Sequence, residues 1–146
     1  MHASGGARIV VGVDGSEPAV RALGWAIEEA RLRGTPLLVV SAWHVPAAVY
    51  GPSGFVPPVS ESIDQTFREV AAEAAEEAAG RAREAGVEVE TDVREGHPAE
   101  ILVEAAQDAD LLVVGSRGHG GFAGLLLGSV SGQCAHHAPC PLVVVR

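Results

Sequence analysis

Five short β-branched runs recur along this chain with a helix-forming segment between successive ones, and that alternation restricts it to folds built on a parallel sheet. The runs are residues 8–13 (RIVVGV), 36–42 (PLLVVSA), 87–93 (VEVETDV), 111–114 (LLVV) and 141–145 (PLVVV). Several are apolar throughout, as strands covered on both faces are, whereas 87–93 alternates. After the first run, Asp14-Gly15-Ser16 is turn and cap chemistry. Ser16 caps a helix with Pro18 in its first turn, Val20, Leu23, Ile27 and Ala30 on one stripe, and Gly34 as its stop. Residues 60–85 predict a long alanine-rich helix with Ile63, Phe67 and Val70 inward, ended by Gly86. Residues 98–107 and 128–137 predict two shorter ones.

Right-handed crossovers then give an α/β fold: a single doubly wound domain over residues 1–146, with a five-stranded parallel sheet and helices on both faces. The strand order is Rossmann-like or flavodoxin-like. With the first and fourth strands adjacent at the switch point, the Asp14 turn and the Gly115 loop share one crevice beyond the strands' C-terminal ends. Residues 1–7 are small and polar and are expected to be a disordered tail. Residues 43–59, rich in proline and glycine and carrying Trp43, Tyr50 and Phe55, are too long for an ordinary connection. Two readings stand for that loop: a lid or partner surface, or a segment whose aromatics fold against the domain.

Composition excludes several functions. The formal charge is −9 and all ten basic residues are arginine, so the chain repels nucleic-acid phosphates and has no basic stripe to offset this. Without lysine there is no Schiff base and no phosphate-loop lysine. No apolar run approaches the roughly 20 residues that span a bilayer. Cys134 and Cys140 are too few for a secreted disulfide framework, so the expected location is the cytoplasm.

The fourth run leads into Gly115-Ser116-Arg117-Gly118, and nine residues later Gly128-Ser129 opens a helix. Gly115 and Gly118 allow backbone N–H groups to approach a ligand closely. Gly128 and Ser129 present amide donors and a hydroxyl at the positive end of a helix, which is an anion site suited to phosphate. Two other patterns fit less well. A P-loop needs the missing lysine, and Gly118, Gly120 and Ala123 match the loose dinucleotide fingerprint after the wrong strand. Glycines that merely permit a flexible turn are the structural alternative.

The stretch GSRGHGGFAGLLLGS, of the form GxxG(x9)GS, resembles the ATP-binding signature of the universal stress protein family. The opening VGVDGS, the closing PCPLVVVR and the element order extend the resemblance over nearly the whole chain. It implies ATP binding. Asp14 would lie near the nucleoside, and the backbone at Ala42 would meet the adenine edge. Gly115, Gly118, Gly128 and Ser129 would hold ribose and phosphates, with Val130 contributing backbone. Arg117 is the strong local cation for a triphosphate, and Mg²⁺ is expected to bridge the phosphates with few protein ligands. The resemblance also implies a homodimer formed through the C-terminal strand, which is expected at a sheet edge.

Other residues carry less. Cys134, His136, His137 and Cys140 are ligand types, but adjacent helical histidines diverge and the spacing fits no closed zinc pattern. His119 reads as a solvated loop residue. Ser116, Ser129 and Ser131 lack a convincing base and acid, and Glu73, Glu76 and Glu77 read as a solvated helix face. The expected function is a nucleotide-dependent regulator in the stress response. The alternatives are a slow ATPase or phosphoryl-transfer enzyme, and a nucleotide-independent dimeric interaction module.

Overall fold

The computed structural model describes residues 7–53, 55, 60–117 and 127–146. The sheet has five parallel strands in the order β3-β2-β1-β4-β5: β1 (Ile9–Gly12), β2 (Leu37–Trp43), β3 (Val89–Glu95), β4 (Leu111–Gly115) and β5 (Leu142–Val145). This is the Rossmann-like order, with β1 and β4 adjacent: Ile9 pairs with Leu111 and Val11 with Val113. The centre is wholly apolar because both faces are covered, and Ile9, Val10, Val11, Leu112 and Val113 are fully buried. Each edge has a different character. β3 carries Asp92 and Arg94, and the Arg94 guanidinium bonds Asp92 Oδ2 at 2.9 and 2.7 Å and Glu104 Oε1 at 2.9 Å. β5 pairs with β4 alone and is half-buried along its length.

One face is covered by α1 (Glu17–Arg33) and α2 (Ser60–Glu84), the other by α3 (Pro98–Ala105) and α4 (Ser129–His137). Helix α1 starts as expected: Ser16 Oγ accepts from the Ala19 amide at 3.3 Å, and Gly34 closes the helix in the left-handed region at φ 67°. Its buried stripe is Ala19, Ala22, Leu23, Ala26 and Ala30, with Val20 40% exposed. Helix α2 corrects the sequence reading more strongly. Its core-facing stripe is Ala71, Ala75, Ala78 and Ala82, while Ile63 and Phe67 are half-buried and Val70 is 62% exposed. The reason is length. At 25 residues α2 runs about 37 Å, whereas β2 at seven residues covers about 23 Å, so the first turns of the helix have no sheet beneath them.

The long connection after β2 is described at residues 44–53 and 55. A short 3₁₀ turn spans Ala47–Tyr50. The Arg68 guanidinium lies 5.8 Å from the centre of the Trp43 ring, fastening the start of the connection to α2. Residues 1–6 of the expected tail, and Gly54 and 56–59 of this loop, lie outside the described residues.

Candidate functional site

The C-terminal ends of β1, β2 and β4 and the first turns of α3 and α4 enclose a crevice of about 560 Å³, part of it open to solvent. Its apolar wall is Val40 and Ala42 from β2, Val114 from β4, and Pro98 and Leu102 from α3. Asp14 and Arg117 are the charged side chains among its described lining residues. It lies at the switch point, where the neighbours of β1 and β4 carry their crossovers to opposite faces.

Asp14 is held as a turn residue. Its Oδ1 accepts the Ser16 amide at 2.9 Å and the Ser16 hydroxyl at 2.5 Å, an Asx turn that also aims Ser16 at the start of α1. The carboxylate is exposed at the crevice rim, so the capping and site-lining readings hold together. Ala42 lines the wall with the end of β2.

Gly115 is required by close approach. A Cβ there would stand 2.8 Å from both the carbonyl carbon and oxygen of Pro18, so β4 and the first turn of α1 meet backbone to backbone. Beyond it the chain leaves as Ser116-Arg117 and returns at Gly128. The Gly128 N–H donates to the Ser116 carbonyl at 2.6 Å and lies 2.9 Å from Ser131 Oγ. The Ser131 hydroxyl, 1% exposed, donates to that same Ser116 carbonyl at 2.7 Å. Two bonds to the Ser116 carbonyl thus fasten the two stems of the glycine segment to each other, and the Gly128–Ser131 bond braces the returning stem. A Cβ at Gly128 would come 3.1 Å from Arg117 Cα, the second close contact at the neck.

Arg117, Val130 and Ser131 line the crevice, so the structure brings Asp14, Ala42, Gly115, Arg117 and Val130 together. Gly128 and Ser129 stand beside it at the start of α4, and Ser129 Oγ is exposed and accepts from Gln133 Nε2 at 3.3 Å. Gly118 lies outside the described residues, as do His119, Gly120 and Ala123. The amides of the first turn of α4 have no partner within the helix by construction and carry its positive end, so anions are favoured there. The sequence pattern does not single out Gly12, Pro98, Leu102 and Ser131, which also line the crevice. Only the strand order, which brings α3 and α4 against the tips of β1 and β4, makes them neighbours.

The C-terminal cysteines and histidines do not converge. Cys134 faces inward from α4 and is fully buried in the core shared with α3, and burial pushes its thiol up to about 11. His136 and His137 are exposed. Among the described residues no three histidine, cysteine or carboxylate side chains are grouped to hold a metal ion, and no helix is long and apolar enough to cross a membrane.

Residues 7–146 match the sequence profile of the universal stress protein family. The chain belongs to that family. A universal stress protein of Mycobacterium tuberculosis (strain H37Rv) is 36% identical over 146 residues, covering 94% of this chain and 47% of its own length. The chain spans about half the length of the curated relatives it matches. Two solved universal stress proteins have the same fold. One, in complex with cAMP, is 29% identical with a TM-score of 0.70, over 96% of this chain and 97% of its own. The other, from Archaeoglobus fulgidus in complex with dAMP, is 28% identical with a TM-score of 0.68, over 97% and 98%. The five-stranded parallel sheet is thus the family's fold, and both of these proteins hold adenine nucleotides.

Proposed function

We propose that this universal stress protein domain binds ATP with Mg²⁺ and serves as a nucleotide-dependent regulator in the stress response, working in the cytoplasm. The observation that carries the reading is the switch-point crevice, apolar at one end and lined by Gly115 and Arg117 at the other. A purine is flat and apolar on its faces, which suits Val40, Ala42, Pro98 and Leu102. Phosphates suit glycine backbone, an arginine and the start of a helix. The complexes of relatives with cAMP and dAMP support the adenine part of the reading.

In this reading Asp14 faces the nucleoside and the Ala42 backbone faces the adenine edge. Gly115, Gly118, Gly128 and Ser129 take ribose and phosphates, with Val130 backbone beside them, and Arg117 offsets phosphate charge. Mg²⁺ is then held by phosphate oxygens and water. Both cysteines are free thiols, which suits a reducing compartment. The half-buried, one-sided strand β5 is the proposed homodimer edge.

Denaturing the freshly purified chain, identifying released nucleotide, and titrating the emptied protein with ATP and Mg²⁺ by calorimetry tests the reading. One ATP per chain is expected, with affinity reduced by excess chelator. Silence at millimolar ATP sinks it in favour of a nucleotide-independent interaction module, and sedimentation as a monomer at micromolar concentration removes the dimer.

A further inference from the structure

The ends of β2 and β3 carry a second arrangement that the crevice does not use. The two strands pair in register to their last residues, Trp43 opposite Glu95. Immediately beyond, the Gly96 N–H donates to the Trp43 carbonyl at 2.8 Å. The next residue after Trp43 is His44, and the next after Gly96 is His97. Their rings lie side by side, centroids 5.1 Å apart and planes inclined by 51°. His97 is also the residue from which α3 starts, at φ −76° and ψ 128°, directly before Pro98. The proline restricts its backbone to this extended region. Both histidines are therefore presented from fastened backbone, and both are exposed to solvent.

We propose that His44 and His97 form a two-imidazole site for a borderline divalent transition-metal ion, with Zn²⁺ as the type case. Zinc binds imidazole nitrogen at about 2.0–2.1 Å, which places the metal roughly 3.2 Å from each ring centre. Bond angles between 90° and tetrahedral then set the two ring centres roughly 4.5–5.3 Å apart, and the observed separation of 5.1 Å falls in that interval. Imidazole suits Zn²⁺, Ni²⁺ and Cu²⁺ rather than Mg²⁺ or Ca²⁺, which take oxygen. Glu95 and Glu100, two residues before and three after His97, are exposed carboxylates on the same stretch of chain. No third protein ligand is grouped with the pair among the described residues, so water completes the coordination. The ion exchanges with solution and is not needed for folding.

The position gives the site a structural consequence. Ala42, two residues before His44, and Pro98, next after His97, both line the crevice. An ion shared by the two rings ties the end of β2 to the start of α3, the two elements that form one wall. Ion binding itself does not depend on what the crevice holds.

The test is a titration of the intact chain with zinc chloride at pH 7.5, read by calorimetry and by proton–nitrogen correlation spectra of the histidine side chains. Binding at this site is expected to move the ring resonances of both His44 and His97. His44→Ala and His97→Ala are each expected to weaken this binding at least tenfold, and His136→Ala, near the C-terminal end of α4, to leave it unchanged. Movement of only one ring, movement of neither, or full binding in either alanine variant overturns the proposal and leaves the pair as an aromatic contact. Both side chains are exposed, so unchanged circular dichroism of the variants is expected and shows that lost binding is local.

Discussion

The two faces of the sheet are covered by different means. On one, α1 and α2 present mostly alanine, and the small side chains let long helices lie close over buried valines and leucines. On the other, α3 with eight residues and α4 with nine cover less of the sheet, and their first turns stand around the crevice instead of filling it. Around Ala75 the first face is packed closely enough to make added volume costly, although a hollow of about 380 Å³ lies between α1 and α2. The second keeps space at one end, and that space holds the candidate site.

Enlarging Ala75, 1% exposed and central in the alanine stripe, gives the largest expected effect. Ala75→Leu should lower the urea midpoint by the equivalent of about 3 kcal/mol through overpacking, without altering ligand affinity beyond the loss of folded protein. A well-tolerated leucine would show that this face has slack and would break the comparison. Gly115→Ala is expected to follow, at about 2 kcal/mol and with loss of ATP binding, because the clashing atoms belong to the Pro18 backbone and α1 must shift.

The second face contributes a pH effect through Cys134. Burial raises its thiol to about 11, above the value near 9 expected when the chain unfolds. The unfolded chain therefore gives up this proton first. The stabilisation is complete below pH 9 and is lost as pH rises from 9 through 11, by about 2–3 kcal/mol. Urea melts across that range should show the decline in the parent chain and a flatter profile in Cys134→Ala.

Gly12→Ala is the counterpart of Gly115→Ala on the crevice side. Its Cβ would meet the tip of Leu102, with Cδ1 at 2.9 Å. That side chain can turn into the crevice, so a cost below about 1 kcal/mol is expected, with weaker ATP binding as the wall moves inward. A cost equal to that of Gly115→Ala would show that the crevice wall is as unyielding as the α1 contact. The smallest effect is expected at Val70, 62% exposed, where Val70→Ala should stay within about 0.5 kcal/mol in the same melts.

Much of this architecture is legible in the residue pattern because each element carries its own signals. Ser16, Pro18 and Gly34 bound α1 as expected, and the apolar runs at 8–13, 36–42 and 111–114 became the covered strands β1, β2 and β4. The direction of α2 was not legible. Ile63, Phe67 and Val70 have the same helical spacing as Ala71, Ala75, Ala78 and Ala82, and hydropathy favours the larger side chains. What decides is how far the helix overruns the sheet, which no local pattern encodes. The site divides in the same way. Asp14, Gly115 and Arg117 stand out by residue type at strand ends, and each lines the crevice. Ser131 does not stand out, because its role is a bond to a carbonyl 15 positions earlier, and Pro98 and Leu102 become wall residues only through the strand order.

The central place of β1 has a consequence during synthesis. One edge of β1 is filled by β2 from the adjacent stretch of chain, but the other waits for Leu111–Val113, about a hundred residues downstream. On the ribosome, roughly seventy residues must be added after β2 before that partner exists, on the order of 3–14 seconds at usual elongation rates. Through that interval an uncharged, β-branched strand edge has no native neighbour. The segment that becomes the most protected part of the finished molecule is the one most exposed to mispairing while it is being made.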